Sequence, residues 1–205
     1  MKTTRLILAS LGAAALAVAA QAITVKLDTS SLAGGTYFVD FQLNDGTGAG
    51  NSNNTAILSD FQFGAGGLAY GDDINLFGGA SGSLFSSVTL TDTAAFNDFL
   101  QSFKAGSFLS FELSLTNNYN APAPDSFSFA LLDENWFNLG TYSLGTDQFV
   151  TVDLTGSTLE YKSFAGVDGI AAPKVPEAGS TMLLVSAALV GLGYARRHTR
   201  AMHAA

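Results

Sequence analysis

The sequence predicts a mainly β chain. It should form a single antiparallel β-sandwich, jelly-roll-like, with one short helix, set between an N-terminal signal peptide and a C-terminal transmembrane helix. Three observations lead there. Between residues 23 and 174, apolar and polar residues alternate in short runs, the period of strands buried on one face. Clusters of Gly, Asn, Asp and Pro separate those runs, and no helical segment follows each strand as a parallel sheet requires. The two ends, by contrast, are apolar segments with basic flanks.

The strands follow in order. Ile23, Val25 and Leu27 alternate with Thr24, Lys26 and Asp28, and Tyr37, Val39, Phe41 and Leu43 alternate around Asp40 and Gln42. Ile57, Phe61 and Phe63 are assigned one face across Ser59, and Leu84, Val88 and Leu90 repeat the pattern. Leu109, Phe111, Leu113 and Leu115 oppose Ser110, Glu112 and Ser114. Phe127, Phe129 and Leu131 follow Asp125, while Val150, Val152 and Leu154 alternate with Thr151 and Asp153. Weaker signals stand at Tyr142 with Leu144 and at Leu159 with Tyr161. About eight or nine strands at this spacing indicate a sandwich.

One segment breaks the period. Phe96, Phe99, Leu100 and Phe103 fall at i, i+3, i+4 and i+7, after Asp92 as an N-cap and before Gly106 as a stop, so residues 93–103 are predicted to form a short amphipathic helix closing one end. Most of the 16 Phe lie on an inward strand phase or on this helical stripe, which makes them core residues first. Phe38, Phe85 and Phe149 are out of phase, leaving open a covered second face or an exposed patch. The low-complexity run 44–54 is predicted to be a mobile surface connection, and Ala121-Pro122-Ala123-Pro124 a stiff turn.

Composition excludes more chemistry than any motif supports. The chain has no Cys, its two His (His198 and His203) stand near the C-terminus, and no Arg occurs from residue 23 to 194. The domain therefore lacks the residues for a Ser-His-Asp triad, a Cys-His pair or an ordinary zinc site, and the guanidinium fork that grips phosphates. Without disulfides, stability must come from the core. Beyond the basic residues of the two ends, four Lys face all 17 acidic residues, a formal charge of −13, so nucleic acid is not an expected partner.

Residues 1–22 carry Lys2 and Arg5, an apolar run, and Ala20-Gln21-Ala22, the three parts of a secretory signal with cleavage expected after Ala22. That implies the Sec translocon and signal peptidase as partners. The sandwich is assigned to 23–165 and a linker to 166–174. In residues 175–205, Val175-Pro176-Glu177 precedes an uncharged segment, 178–195, of about 27 Å as a helix, which just spans a thin hydrocarbon core. Arg196, Arg197 and Arg200 follow and should stay cytoplasmic, which places the middle outside.

The order Pro-Glu, short polar stretch, apolar helix, Arg cluster resembles the PEP-CTERM sorting signal of Gram-negative bacteria. The matching positions are Val175, Pro176 and Glu177 with Arg196 and Arg197 as the basic stop; Ala178 departs from the second Pro of the pattern. The resemblance implies recognition by an exosortase, a membrane-embedded transpeptidase, with cleavage near the motif. It also implies an inner-membrane precursor delivered to the cell surface or exopolysaccharide matrix. A plain permanent anchor is the alternative, although Gly191, Gly193 and several Ala and Ser make the helix only weakly apolar.

Three chemistries suit the middle. Asn44, Asp45, Asp72, Asp73 and Asp125 offer oxygen ligands for calcium, without EF-hand spacing. Trp136 beside Asp133, Glu134 and Asn135 offers an aromatic face and acceptors for a sugar, against the simpler reading of the single Trp as a core or edge residue. Glycoside hydrolysis needs two facing carboxylates, and nothing marks a pair among Glu112, Glu134 and Glu160. The expectation is a non-catalytic surface or matrix protein without an obligatory cofactor, with polysaccharide binding as the alternative function.

Overall fold

The computed structural model describes residues 22–140, 148–166, 171, 172 and 174. Apart from Ala22, the expected signal peptide and its Ala20, the sorting motif, segment 178–195, the Arg stop and the Tyr142 and Leu144 strand lie outside these residues. Among the described residues no helix is long and apolar enough to cross a membrane.

The described chain is mainly β. Its strands are β1 (Ile23–Asp28), β2 (Thr36–Asn44), β3 (Thr55–Gln62), β4 (Leu68–Phe77), β5 (Gly79–Gly82) and β6 (Ser87–Thr91). They continue with β7 (Phe96–Lys104), β8 (Phe108–Leu115), β9 (Asp125–Leu132), β10 (Val150–Leu154) and β11 (Tyr161–Ser163). Two antiparallel sheets result, one ordered β1-β8-β3-β6-β5 and the other β11-β10-β9-β2-β7-β4. The inward phases of both meet in one core. Phe41 of β2 and Phe129 of β9 lie 5.3 Å apart on one sheet, and Phe111 of β8 enters edge-on from the other, at 5.2 Å and 5.1 Å. Edge-to-face geometry places ring hydrogens against π faces, and each buried Phe contributes about 1.5–3 kcal/mol by leaving water.

The predicted helix over 93–103 is replaced by β7, which pairs with β2 from Thr36↔Lys104 to Asn44↔Phe96. Its buried phase is Asn97, Phe99, Gln101 and Phe103, and the two amides hid the alternation from a reading based on apolar residues. Both amides are hydrogen-bonded at the oxygen and at the nitrogen, which makes their burial tolerable. Asn97 Oδ1 accepts the Gly79 and Ala94 amides while Nδ2 donates to the Leu43 and Ala94 carbonyls; Gln101 Oε1 accepts the Leu84 amide and Nε2 donates to Tyr70 O. Asp92 accordingly caps no helix.

The phase assigned to Ile57 is also corrected. Ala56 and Leu58 are buried and Ile57 is exposed, because a bulge between Ser59 and Gln62, with Asp60 at φ 54°, shifts the phase before Phe61 and Phe63. The run 44–54, expected to be a mobile connection, is held down: the Asn51 and Ser52 amides donate to Asp92 O and the Asp45 amide to Ala95 O. Gly50, at φ 76°, lies so close to Thr93 that an added Cβ would sit 2.3 Å from its carbonyl oxygen.

The out-of-phase Phe divide three ways: Phe149 is fully buried, Phe85 is exposed in a turn, and Phe38 faces outward from β2. In the stretch expected to be a linker, Gly166 bridges Gly140, and Lys174 exchanges backbone hydrogen bonds with Lys26 at 3.2 and 2.8 Å, covering part of the β1 edge.

Candidate functional site

Two places gather the chemistry that the sequence offered. The first is built on the turn after β9. Asp133 Oδ1 accepts the amides of Asn135 (2.8 Å) and Phe137 (2.9 Å), and the Asp133 carbonyl accepts the Trp136 amide at 3.0 Å. The turn puts Trp136 at φ 67°, a left-handed conformation uncommon for a bulky residue and one that collects at ligand sites. Its indole stacks on Phe38 at 4.8 Å and 20°, and it remains 53% exposed. Of the two placements expected for the single Trp, core or edge, its exposure overturns the core one. Phe38 stands on the outward phase of β2, so the ring pair forms on the outside of the sheet.

From Trp136 a groove crosses β7 to the edge strand β4. Its first part is lined by Phe38, Asp73, Ile74, Asn75, Leu100 and Trp136, and its second by Asn75, Leu76, Phe77, Phe96, Asp98 and Leu100. Asn75 and Leu100 belong to both, which makes the surface continuous. A second ring pair, Phe77 and Phe96 at 6.0 Å, marks the far end. Aromatic faces at both ends with amide and carboxylate groups between them fit a polyhydroxylated chain, whose C–H faces stack on rings while its hydroxyls donate to acceptors. Burial raises the Asp98 carboxyl above the ordinary carboxylate value, only partly offset by hydrogen bonds from Asp40 and the Phe99 amide. Asp133 is committed to holding the turn, and Glu134 is exposed at its tip.

The second place lies where β2 and β6 end and β9 begins. Asp45, Asp92 and Asp125 are all buried, and one carboxylate oxygen from each lies within 4.8 Å of the others. Backbone and amide donors hold them. Thr47 and Gly48 donate to Asp45 Oδ1, Asn54 N to Asp92 Oδ1, Gly46 N to Asp125 Oδ1 and Asn54 Nδ2 to Asp125 Oδ2. Burial pushes the Asp92 carboxyl up to about 6, with Asp125 and Asp45 adding to the rise against the Asn54 amide. For Asp45, burial raises the value but the Thr47 hydroxyl and the amides of Thr47, Gly48 and Ala49 outweigh it, leaving the carboxyl below normal.

No family model matches the chain, and no curated protein or solved structure matches it.

Of the calcium candidates read from sequence, Asp45 and Asp125 come together, whereas Asp72 and Asp73 stand in the irregular part of β4, where pairing shifts between Ala69 and Ile74. The third member, Asp92, was missed because it had been assigned to a helix cap. The groove residues Leu100 and Phe96 were missed for the same reason: read as a strand, β7 places both on the outward phase.

Proposed function

We propose that this is a non-catalytic protein of the bacterial surface or extracellular matrix, sorted by an exosortase through its tail, whose sandwich holds polysaccharide along the outer groove. The observation that carries the binding reading is Trp136, solvent-facing, stacked on Phe38 and opening a groove that continues to Phe77 and Phe96. A groove open along its length suits a polymer, and the acidic, Arg-free domain disfavours nucleic acid. The delivery reading rests on the two ends of the sequence.

Calorimetry of the mature protein with purified neutral and acidic polysaccharides tests the groove. Saturable binding that Trp136→Ala weakens about tenfold is expected, a loss of about 1.4 kcal/mol. No saturable binding across the panel, or binding that Trp136→Ala leaves intact, overturns it. Mass spectrometry of surface material tests delivery: the mature chain should end close to Glu177, and a peptide containing Arg196 would establish a permanent anchor instead.

A further inference from the structure

We propose that Asp45, Asp92 and Asp125 bind a calcium ion, which ties the 45–54 loop and the β6–β7 connection to the start of β9. The geometry states the requirement. Three carboxylates converge from three segments, and each is more than nine-tenths buried, at 6%, 0% and 2% exposure. The surrounding donors are taken by Asp45 Oδ1, Asp92 Oδ1 and both oxygens of Asp125. Asp45 Oδ2 and Asp92 Oδ2 are buried and receive no hydrogen bond. A buried carboxylate oxygen without a donor is costly, and three carboxylates brought together are costlier still unless their charge is neutralised, by a shared proton or, for all three at once, by a bound cation.

Among the described residues no cationic side chain forms an ion pair with these carboxylates. Arg and His are absent from residue 23 to 194, and the ion pair found among the described residues, Lys162 with Asp153, is exposed and elsewhere. A bound divalent cation would reduce a cluster charge of −3 to −1 and give the two bare oxygens a partner.

The donor set also selects the ion. An all-oxygen site without His or Cys suits a hard cation. Calcium binds oxygens at about 2.3–2.6 Å, so two ligands on opposite sides of one ion stand about 4.8 Å apart. The oxygens here all lie within that distance of one another. Magnesium dehydrates reluctantly and is usually held by one or two carboxylates with several waters kept, whereas three carboxylates gathered in a buried site suit calcium.

The inference is independent of the groove. Full-length protein freed of metal with EDTA is titrated calorimetrically with calcium chloride, and its thermal unfolding is followed with and without calcium. One calcium per chain and a rise in Tm of about 5 °C are expected, reversed by EDTA. Asp92→Asn should abolish the calcium heat while melting, metal-free, no lower than the wild type, because it removes a repulsive charge and keeps an oxygen for the Asn54 amide. Asp45→Asn provides the second variant should the first fail to fold. Asp153→Asn, on the exposed ion pair, should keep the full response. No calcium-dependent heat or Tm shift at 10 mM (roughly a thousandfold above a sensor-type Kd) overturns the proposal. So does an unchanged response in both cluster variants, and an equal response to magnesium overturns the choice of ion.

Discussion

The Trp136 groove and the three-aspartate cluster are both assembled around β2 and β9, and they handle water in opposite ways. The groove leaves large rings in solvent on a sheet face whose other side is packed, so its residues contribute little to folding and are free for a ligand. The cluster withdraws three charges from water and surrounds them with backbone amides and Asn54. An exposed apolar surface and a buried charged one are both unfavourable by themselves, and the partners proposed for them are of opposite kinds: a sugar face for the rings, a cation for the carboxylates.

The sharpest way to break this contrast is Asn54→Ala. The Asn54 side chain donates to Asp125 and the Asn118 carbonyl and accepts from Thr116 and the Asn118 amide, so truncation strands several buried groups together. A loss of about 3 kcal/mol is expected in denaturant unfolding with calcium present. A loss below about 1 kcal/mol would mean that the cluster is not a held structure. Trp136→Ala should behave in reverse, reducing polysaccharide affinity while changing stability by less than about 1 kcal/mol, since the ring is half exposed.

The smallest effect concerns Asp98. Because burial raises its pKa in the folded protein, the fold holds that proton more tightly than the unfolded chain does. Stability is therefore lost as pH rises from the ordinary value of 3.8 through the raised one. Asp98→Asn should stabilise the protein at pH 7 by about 0.5 kcal/mol and do nothing at about pH 3, where the carboxyl is protonated in both states. Thermal melts at the two pH values distinguish the charge from mere packing, which would act equally at both.

Legibility in the sequence varied with how local the signal was. Strands β1, β2, β8, β9 and β10 declare themselves because each buries an unbroken alternation such as Leu109, Phe111, Leu113 and Leu115. β7 did not, since Asn97 and Gln101 occupy inward positions and leave four apolar residues at helical spacing. β5 (Gly79–Gly82) carries no apolar side chain beyond Ala80, and an added Cβ at Gly79 would sit 2.0 Å from Thr91 O. Trp136 was nameable from chemistry alone, but its exposure depended on a left-handed turn and on a Phe38 platform that lies 98 positions away. Asp45 and Asp125 were nameable as oxygen ligands, whereas their union with Asp92 follows from the pairing of β2 with β9 and the Asn54 links across to Asp92.

The sequence by itself determined the class of structure and the available chemistry: alternating strands, a strongly acidic middle without Cys, His or Arg, and two apolar ends. Those properties are composition and period, which each short segment carries within itself. Tertiary structure alone decided that residues 93–103 extend into a strand, that Trp136 faces solvent, and which three of the aspartates meet. Those outcomes depend on register, on bulges at Ser59 and in β4, and on loops that join residues 47 and 80 positions apart, none of which a local period records.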